Sequence, residues 1–426
     1  MLHFWPHLLA WLGQVQDTRD QERCTYLREF LLYLGLMVFL LKASSRRQMG
    51  FELDSPQALK NLNALSGCSQ ETMAHPGTLD HFLGHVPTES LEKLRWRMVQ
   101  RLVRMKALEA GRLMGHLLIA IDGTGQYTFR ERHCERCLER KHHDKTLYYH
   151  HVLEAKLVTP DGLAFSVGHE FIENADPNAT KQDCELKAFA RLAERLKKDF
   201  PQLLLCLCLD GLYAKGPVLS VCERNDWKYI ITFKEGSLPA LWKEYQTLLG
   251  LCPQNRKIHR TGDGVRQTFA WVEDLPHTDD QKKTHRLNAF QCQEVRGGRE
   301  TFFVWITNFP VGPDTVVDLG NRGGRCRWKI ENEGFNNQKN GGFNLEHAYS
   351  LQDRQMRNYY LLMQIAHMIL QLLERGSLLG RNCKKLFGSI RNLARRLAES
   401  IRNFLIPPEA LDPDRAKTIQ IRLNTS

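Results

Sequence analysis

The run Leu203-Leu-Leu-Cys-Leu-Cys-Leu-Asp210 holds seven apolar residues before its first polar one. Seven is short for a helix, and a strand so apolar must be covered on both faces. It therefore belongs inside a sheet with helices above and below. The preceding stretch, Lys181 to Lys198, supplies one such helix, with Leu186, Phe189, Leu192, Ala193 and Leu196 on one side and Pro201 as its stop. After Asp210 a helix over about 215–225 and a strand from Trp227 to Phe233 follow. These consecutive pieces make the chain an α/β protein.

Upstream, Leu117-Leu-Ile-Ala-Ile-Asp122 reads as a short strand over residues 116–122, ending in the turn signal Asp122-Gly-Thr-Gly. Tyr127-Thr-Phe129 then starts a second strand. A polar excursion over 133–144 comes next, followed by a strand from Tyr148 to Val158. Pro160-Asp-Gly162 turns the chain into Leu163 to Val167. Strands, helix, strand, helix, strand is the order of a ribonuclease H-like core, in which adjacent central strands bring two carboxylates together. Residues 254–307 read as mainly β, with strands at Thr268–Val272, Arg286–Val295 and Thr301–Thr307. The expected organisation has three parts. Residues 1–112 form a helical region and 113–350 a catalytic core, a mixed sheet flanked by helices with a β-rich insertion at about 236–312. Residues 351–426 form a basic helical end, with helices at 355–374 and from Arg381 to Arg402.

The 426 residues allow ample core, and 42% hydrophobic with 25% charged residues is ordinary for a globular protein. A formal charge of +11 favours an anionic partner. Arg46, Arg47 and the set Lys93, Arg95, Arg97, Arg101, Arg104 and Lys106 make the N-terminal region basic. Solvated helix faces explain any one of them; as a group they suit DNA phosphates. Several of the 12 cysteines sit in apolar runs (Cys206, Cys208) or beside charged helix residues (Cys184, Cys326), as reduced cytoplasmic thiols do. The start lacks the marks of a signal peptide, and the apolar run Phe30–Leu41, at 12 residues, is too short to span a bilayer. A buried helix and no membrane partner are expected.

The chemistry is carried by three carboxylates. Asp122 and Asp210 each end an apolar run, and Glu331 lies on a late helix among basic and aromatic residues, Arg325-Cys-Arg-Trp-Lys-Ile-Glu-Asn-Glu-Gly-Phe-Asn-Asn-Gln-Lys339. Phosphodiester chemistry needs an activated nucleophile and a stabilised leaving oxygen. Two hard divalent cations about 3.5–4 Å apart, held by carboxylate oxygens, provide both. An aspartate followed by glycine is by itself more often a turn or a helix cap; order and context single these out.

Arg327-Trp328-Lys329-Ile330-Glu331 resembles the Arg-Trp-x-Ile-Glu of DDE transposases of bacterial insertion sequences, in the group with a Tyr-Arg-Glu-Lys signature (insertion sequence family four-like). The resemblance covers about residues 115–350. It implies that Asp122, Asp210 and Glu331 are catalytic and bind two Mg²⁺ or Mn²⁺ ions. It implies that Arg327 and Lys339, the signature arginine and lysine, lie near DNA phosphates; Trp328, Arg46 and Arg47 are further candidate DNA contacts by residue type and charge alone. The activity implied is cut-and-paste transposition: cleavage at terminal inverted repeats of double-stranded DNA, then strand transfer into target DNA, by a homodimer assembled on the ends. The alternatives are a ribonuclease H-like nuclease without strand transfer, and an inactive or domesticated copy that only binds DNA. Two departures stand out. The tyrosine position holds Gly324, and the interval from Glu331 to Lys339 is one residue longer than usual. Glu333 is thus an alternative third carboxylate, though it cannot share a helix face with Glu331. The Arg-Trp-x-Ile anchor favours Glu331. Trp328, beside Ile330, is expected to pack against the core rather than stack on a base.

Cys134-x-x-Cys137, with His133, His142 and His143 nearby, is half of a zinc signal; a second Cys pair at finger spacing is missing. A structural Zn²⁺ on Cys134 and Cys137 is the less favoured reading. His142-His143-Asp144 and His150-His151 read as polar surface near the DNA. Asp183 and Glu185 suit the dipole of the helix they open. Glu170 and Glu173 read as a polar loop, and His347 as a loop histidine or a neighbour of the site.

Overall fold

The computed structural model describes residues 2–142, 145–174, 182–375 and 386–412. Its strands, in chain order, are β1 (Leu117–Phe129), β2 (Leu138–His142), β3 (Lys145–Val158), β4 (Ala164–Ile172), β5 (Leu205–Leu209), β6 (Lys228–Thr232), β7 (Arg256–Arg260), β8 (Arg266–Thr278), β9 (Thr284–Arg296) and β10 (Arg299–Thr307). Among the described residues these ten form one mixed sheet, β2-β3-β1-β5-β6-β10-β9-β8-β7. β4 lies end to end with β2 on the outer edge of β3: β2 pairs with Lys145–Tyr149 and β4 with His151–Val158.

The apolar run behaves as its composition requires. Every residue of β5 is buried, and β5 pairs in parallel with β1 on one side and β6 on the other. The helices Glu185–Asp199 and Gly216–Asn225 are the crossovers that parallel pairing demands. Burial splits β1 by parity. Leu117, Ile119 and Ile121 enter one hydrophobic cluster, while Leu118 and Ala120 enter a second with Cys206, Cys208, Cys326, Ile330 and Phe335.

One expectation needs correction. β1 does not stop at Asp122-Gly-Thr-Gly but runs on to Phe129, because β3 stays paired to it through Asp122↔Glu154, Gly123↔Leu153 and Thr124↔Val152. An irregularity between Gly125 and Thr128 is all that the turn signal produces. The β-rich segment, for its part, continues the central sheet, since β10 pairs with β6 through Trp305↔Thr232 to Thr307↔Ile230. Its first element is a helix, Pro239–Leu251.

The N-terminal region is helical. Helix Arg28–Leu40 is buried at every position from Phe30 on, as a helix apolar on all sides must be. It lies among helices Pro56–Ser66, Pro76–Gly84 and the 23-residue Asp353–Arg375. The last α-helix described is Ile390–Asn403; Arg381, where the basic tail was expected to begin, lies outside the described residues. No helix among the described residues is long and apolar enough to cross a membrane.

Candidate active site

β1 and β5 run parallel with Ala120 paired to Cys208, so Asp122 and Asp210 both lie two residues beyond the last shared pair. The carboxyl ends of adjacent parallel strands are where an open α/β sheet places its ligand crevice. Period-two alternation turns Asp122 to the same face as Leu118 and Ala120, under the segment that carries Glu331. Asp210 accepts a hydrogen bond from the Leu212 amide (2.8 Å) and caps a short helix.

That segment is a composite helix whose turns change pitch. Leu319–Gly323 is π-helical, Gly324–Cys326 is 3₁₀, Arg327–Lys329 is α, Ile330–Asn336 is π again and Asn337–Asn340 returns to α. A π turn holds one residue more than an α turn and is found mostly at functional sites. Here it leaves Ile330 and Phe335 buried at either end of the widened stretch.

The turn also separates the two glutamates. Glu331 accepts from Arg327 Nη1 at 2.7 Å, and the same nitrogen lies 3.4 Å from Asp122 Oδ2. Glu333 instead pairs with Lys329 (2.9 Å) and lies near Gly162. Glu331 thus shares a cation with Asp122, and Glu333 does not. Burial pushes the Asp122 carboxyl up to about 7. Arg327 opposes the rise, and the carboxylates of Glu331, Glu185 and Asp210 add to it.

Glu185 is a carboxylate beside Asp122 that sequence reasoning assigned to the helix dipole alone. It opens helix Glu185–Asp199 as a residue favouring the helix dipole would, but its carboxylate reaches over the backbone of Gly123. Tyr213 Oη donates to it at 3.0 Å, and His151 Nε2 lies 3.3 Å away. The contact with His151 is the main cause that holds the Glu185 carboxyl below its usual range. Asp183 belongs elsewhere, accepting from Arg191 at 2.6 Å.

Four carboxylates therefore converge, with Arg327 as the one cation between Asp122 and Glu331. Carboxylate oxygens are the donors that hard divalent cations take, and a cation would favour the charged form of Asp122 that burial and the neighbouring carboxylates disfavour. The donor set fits Mg²⁺ or Mn²⁺. Arg327 is buried, and its Nε, itself shielded from solvent, has no hydrogen-bond partner.

The remaining predicted residues are spread out. Trp328 is not packed in the core: it is 44% exposed, with the Arg327 guanidinium 4.5 Å from its ring centre. The alternation that buries Ile330 turns its neighbour two positions back to solvent. Lys339 pairs with Glu346 (2.9 Å) and Arg46 with Asp80 (3.0 Å), while Arg47 is exposed beside Phe51. His347 lies edge-on to Tyr349. Glu170 is not in a loop but in β4, held by Arg191 and Arg195, and Glu173 follows that strand and pairs with Arg357. His143 and Asp144 lie outside the described residues, as does the His142 side chain. His150 and His151 are not polar surface. His151 faces Glu185, and His150 is buried beside Cys134 and Cys137. No protein-family profile matches the chain, and no curated protein matches it.

Proposed function

We propose that this chain is a metal-dependent DNA transposase that cleaves the ends of its element and transfers the strand into target DNA. The observation that carries the reading is the Arg327 guanidinium joining Asp122 to Glu331 where parallel β1 and β5 end, with Asp210 on the adjacent strand. The order β4-β3-β1-β5-β6, with helices after β4 and β5, supports taking this part of the sheet as a ribonuclease H-like core.

Asp122, Asp210 and Glu331 would hold two Mg²⁺ or Mn²⁺ ions, with Glu185 beside them. Ions so held would activate the attacking oxygen and stabilise the leaving one. Arg327 would set the spacing of Asp122 and Glu331 and add its positive charge beside a bound phosphate. Trp328, an exposed ring braced by that guanidinium, would meet DNA by stacking. The charge of +11 and the exposed Arg47 supply attraction to phosphates without sequence preference. Paired DNA ends call for a homodimer.

The test uses duplex DNA from either side of the gene, where short inverted repeats are expected. With Mg²⁺ or Mn²⁺ the protein should nick at the repeat and leave a 3′-hydroxyl; with plasmid added, joined products should form. Asp210→Asn keeps an oxygen to cap the Leu212 amide but removes the charge. It should lose at least about a hundredfold in cleavage rate. Undiminished cleavage by that variant would falsify the assignment. Nicking without joined products favours the nuclease reading, and binding without nicking a DNA-binding role alone.

A further inference from the structure

Away from the carboxylates, four side chains with metal-ligating atoms meet at one point. His133 Nδ1 lies 3.1 Å from Cys137 Sγ, the two sulfurs are 3.4 Å apart, and His150 Nε2 is 3.5 Å from each of them. All four donor atoms fall within 4.8 Å of one another. A tetrahedral zinc with Zn–S near 2.3 Å and Zn–N near 2.0 Å has donor-to-donor edges of about 3.4–3.8 Å. The observed separations are close to those edges. Cys137 and His150 are buried, Cys134 and His133 half-buried, so the cluster is shielded without being sealed.

The local chain is built to make this meeting. Cys134 and Cys137 form a tight turn, with the Cys137 amide donating to the Cys134 carbonyl. Asn174, just past β4, donates to the Cys137 carbonyl and fixes the turn from the other side. His150 sits on β3 where pairing passes from β2 to β4, between Tyr149 and His151. The rings of Tyr127 and Phe129, on β1, pack against His150 and His133. A disulfide between the cysteines would use two of the four groups and leave no reason for the imidazoles to converge.

We propose that His133, Cys134, Cys137 and His150 bind a structural Zn²⁺ that pins the segment after β1 to β3. Two thiolates and two imidazoles suit zinc's borderline-soft character, and four protein ligands leave no open position, as in a structural site. The ion has a second consequence at the carboxylates. His150 and His151 are successive strand residues and point to opposite faces, so fixing His150 restrains the stretch of β3 that carries His151 toward Glu185. The zinc site does not depend on the proposed function.

The test uses the full chain purified under a non-thiol reductant from zinc-supplemented cells. Metal analysis should give stoichiometric zinc for wild type and for Asp210→Asn, and a large loss for Cys137→Ser. Replacement by Co²⁺ should give the thiolate charge-transfer band and intense visible bands of a tetrahedral site. His133→Cys should retain metal and strengthen that band, a gain of signal that misfolding cannot produce. Substoichiometric zinc in the folded wild type, with no charge-transfer band in Co²⁺, would overturn the proposal. A Cys134–Cys137 disulfide in protein trapped directly from cells would do the same.

Discussion

A methyl group on Gly123 would collide with the Glu185 carboxylate and the His151 ring. The approach of these groups to β1 thus depends on a residue without a side chain. This explains why Asp122 and Asp210 are legible in the sequence and Glu185 is not. Each aspartate ends an apolar run, and strand periodicity says where it points. A glutamate in a first helical turn has a sufficient local reason to be there, and nothing local shows it crossing a glycine on another strand. Glu185→Gln keeps the shape and the bond from Tyr213 but removes a charge next to Asp122. Mn²⁺ affinity, followed by electron paramagnetic resonance, should fall about ten- to a hundredfold. Gly123→Ala should weaken it as well, by displacing the same carboxylate. An unchanged affinity in both variants would remove Glu185 from the metal site.

At the scale of an element, the composite helix bears on both places where the segment differs from the signature it resembles. The π turn over Ile330–Asn336 falls where the interval is one residue longer. A hydrophobic pattern read at 3.6 residues per turn cannot reveal a π turn, because burial at its two ends looks the same. Gly324, where that signature has tyrosine, is closely packed. A Cβ on Gly324 would run into the indole of Trp305, which is stacked between Phe290 and Phe303. The aromatic bulk at this place comes from β10, far away in sequence. Gly324 has an ordinary helical φ of −57°, so a larger residue meets steric conflict and not backbone strain. Gly324→Tyr should cost about 1–3 kcal/mol and lower the melting temperature. Adding Trp305→Ala should recover part of that loss. If Gly324→Tyr melts no earlier than wild type, the packing account fails.

Across the whole molecule, the sheet, the composite helix and two outer helices are joined by polar groups buried in the core. Arg95, from helix Thr88–Arg104, donates to Ser166 at 2.9 Å and contacts His169 at 3.0 Å. Ser166 and Tyr360 both donate to Glu154, the cross-strand partner of Asp122. Lys156 donates to Gln364 (2.8 Å), and Gln338 of the composite helix links Gln364 to His367. The sequence discloses each of these residues but not their convergence, since every one would suit an exposed helix face or strand edge. Burial drives His169 and His367 well below the ordinary histidine range, with Arg95 adding to the effect on the first and Lys156 on the second. Both stay neutral in the folded chain when the unfolded chain, with histidines near 6.5, takes up protons. Stability is therefore full above about pH 6.5 and falls as the pH drops below it. The slope approaches 1.4 kcal/mol per pH unit, approximately, for each histidine. Carboxylates titrate in the same acid range, so the useful quantity is the difference between wild type and a variant. Denaturant unfolding of His169→Asn from pH 7.5 to 4.5 should give a lower stability at neutral pH and a shallower decline below 6.5. A decline as steep as that of wild type would mean that His169 is protonated in the folded protein. The buried chain of polar groups would then have to carry a charge that its neighbours Arg95 and Lys156 oppose.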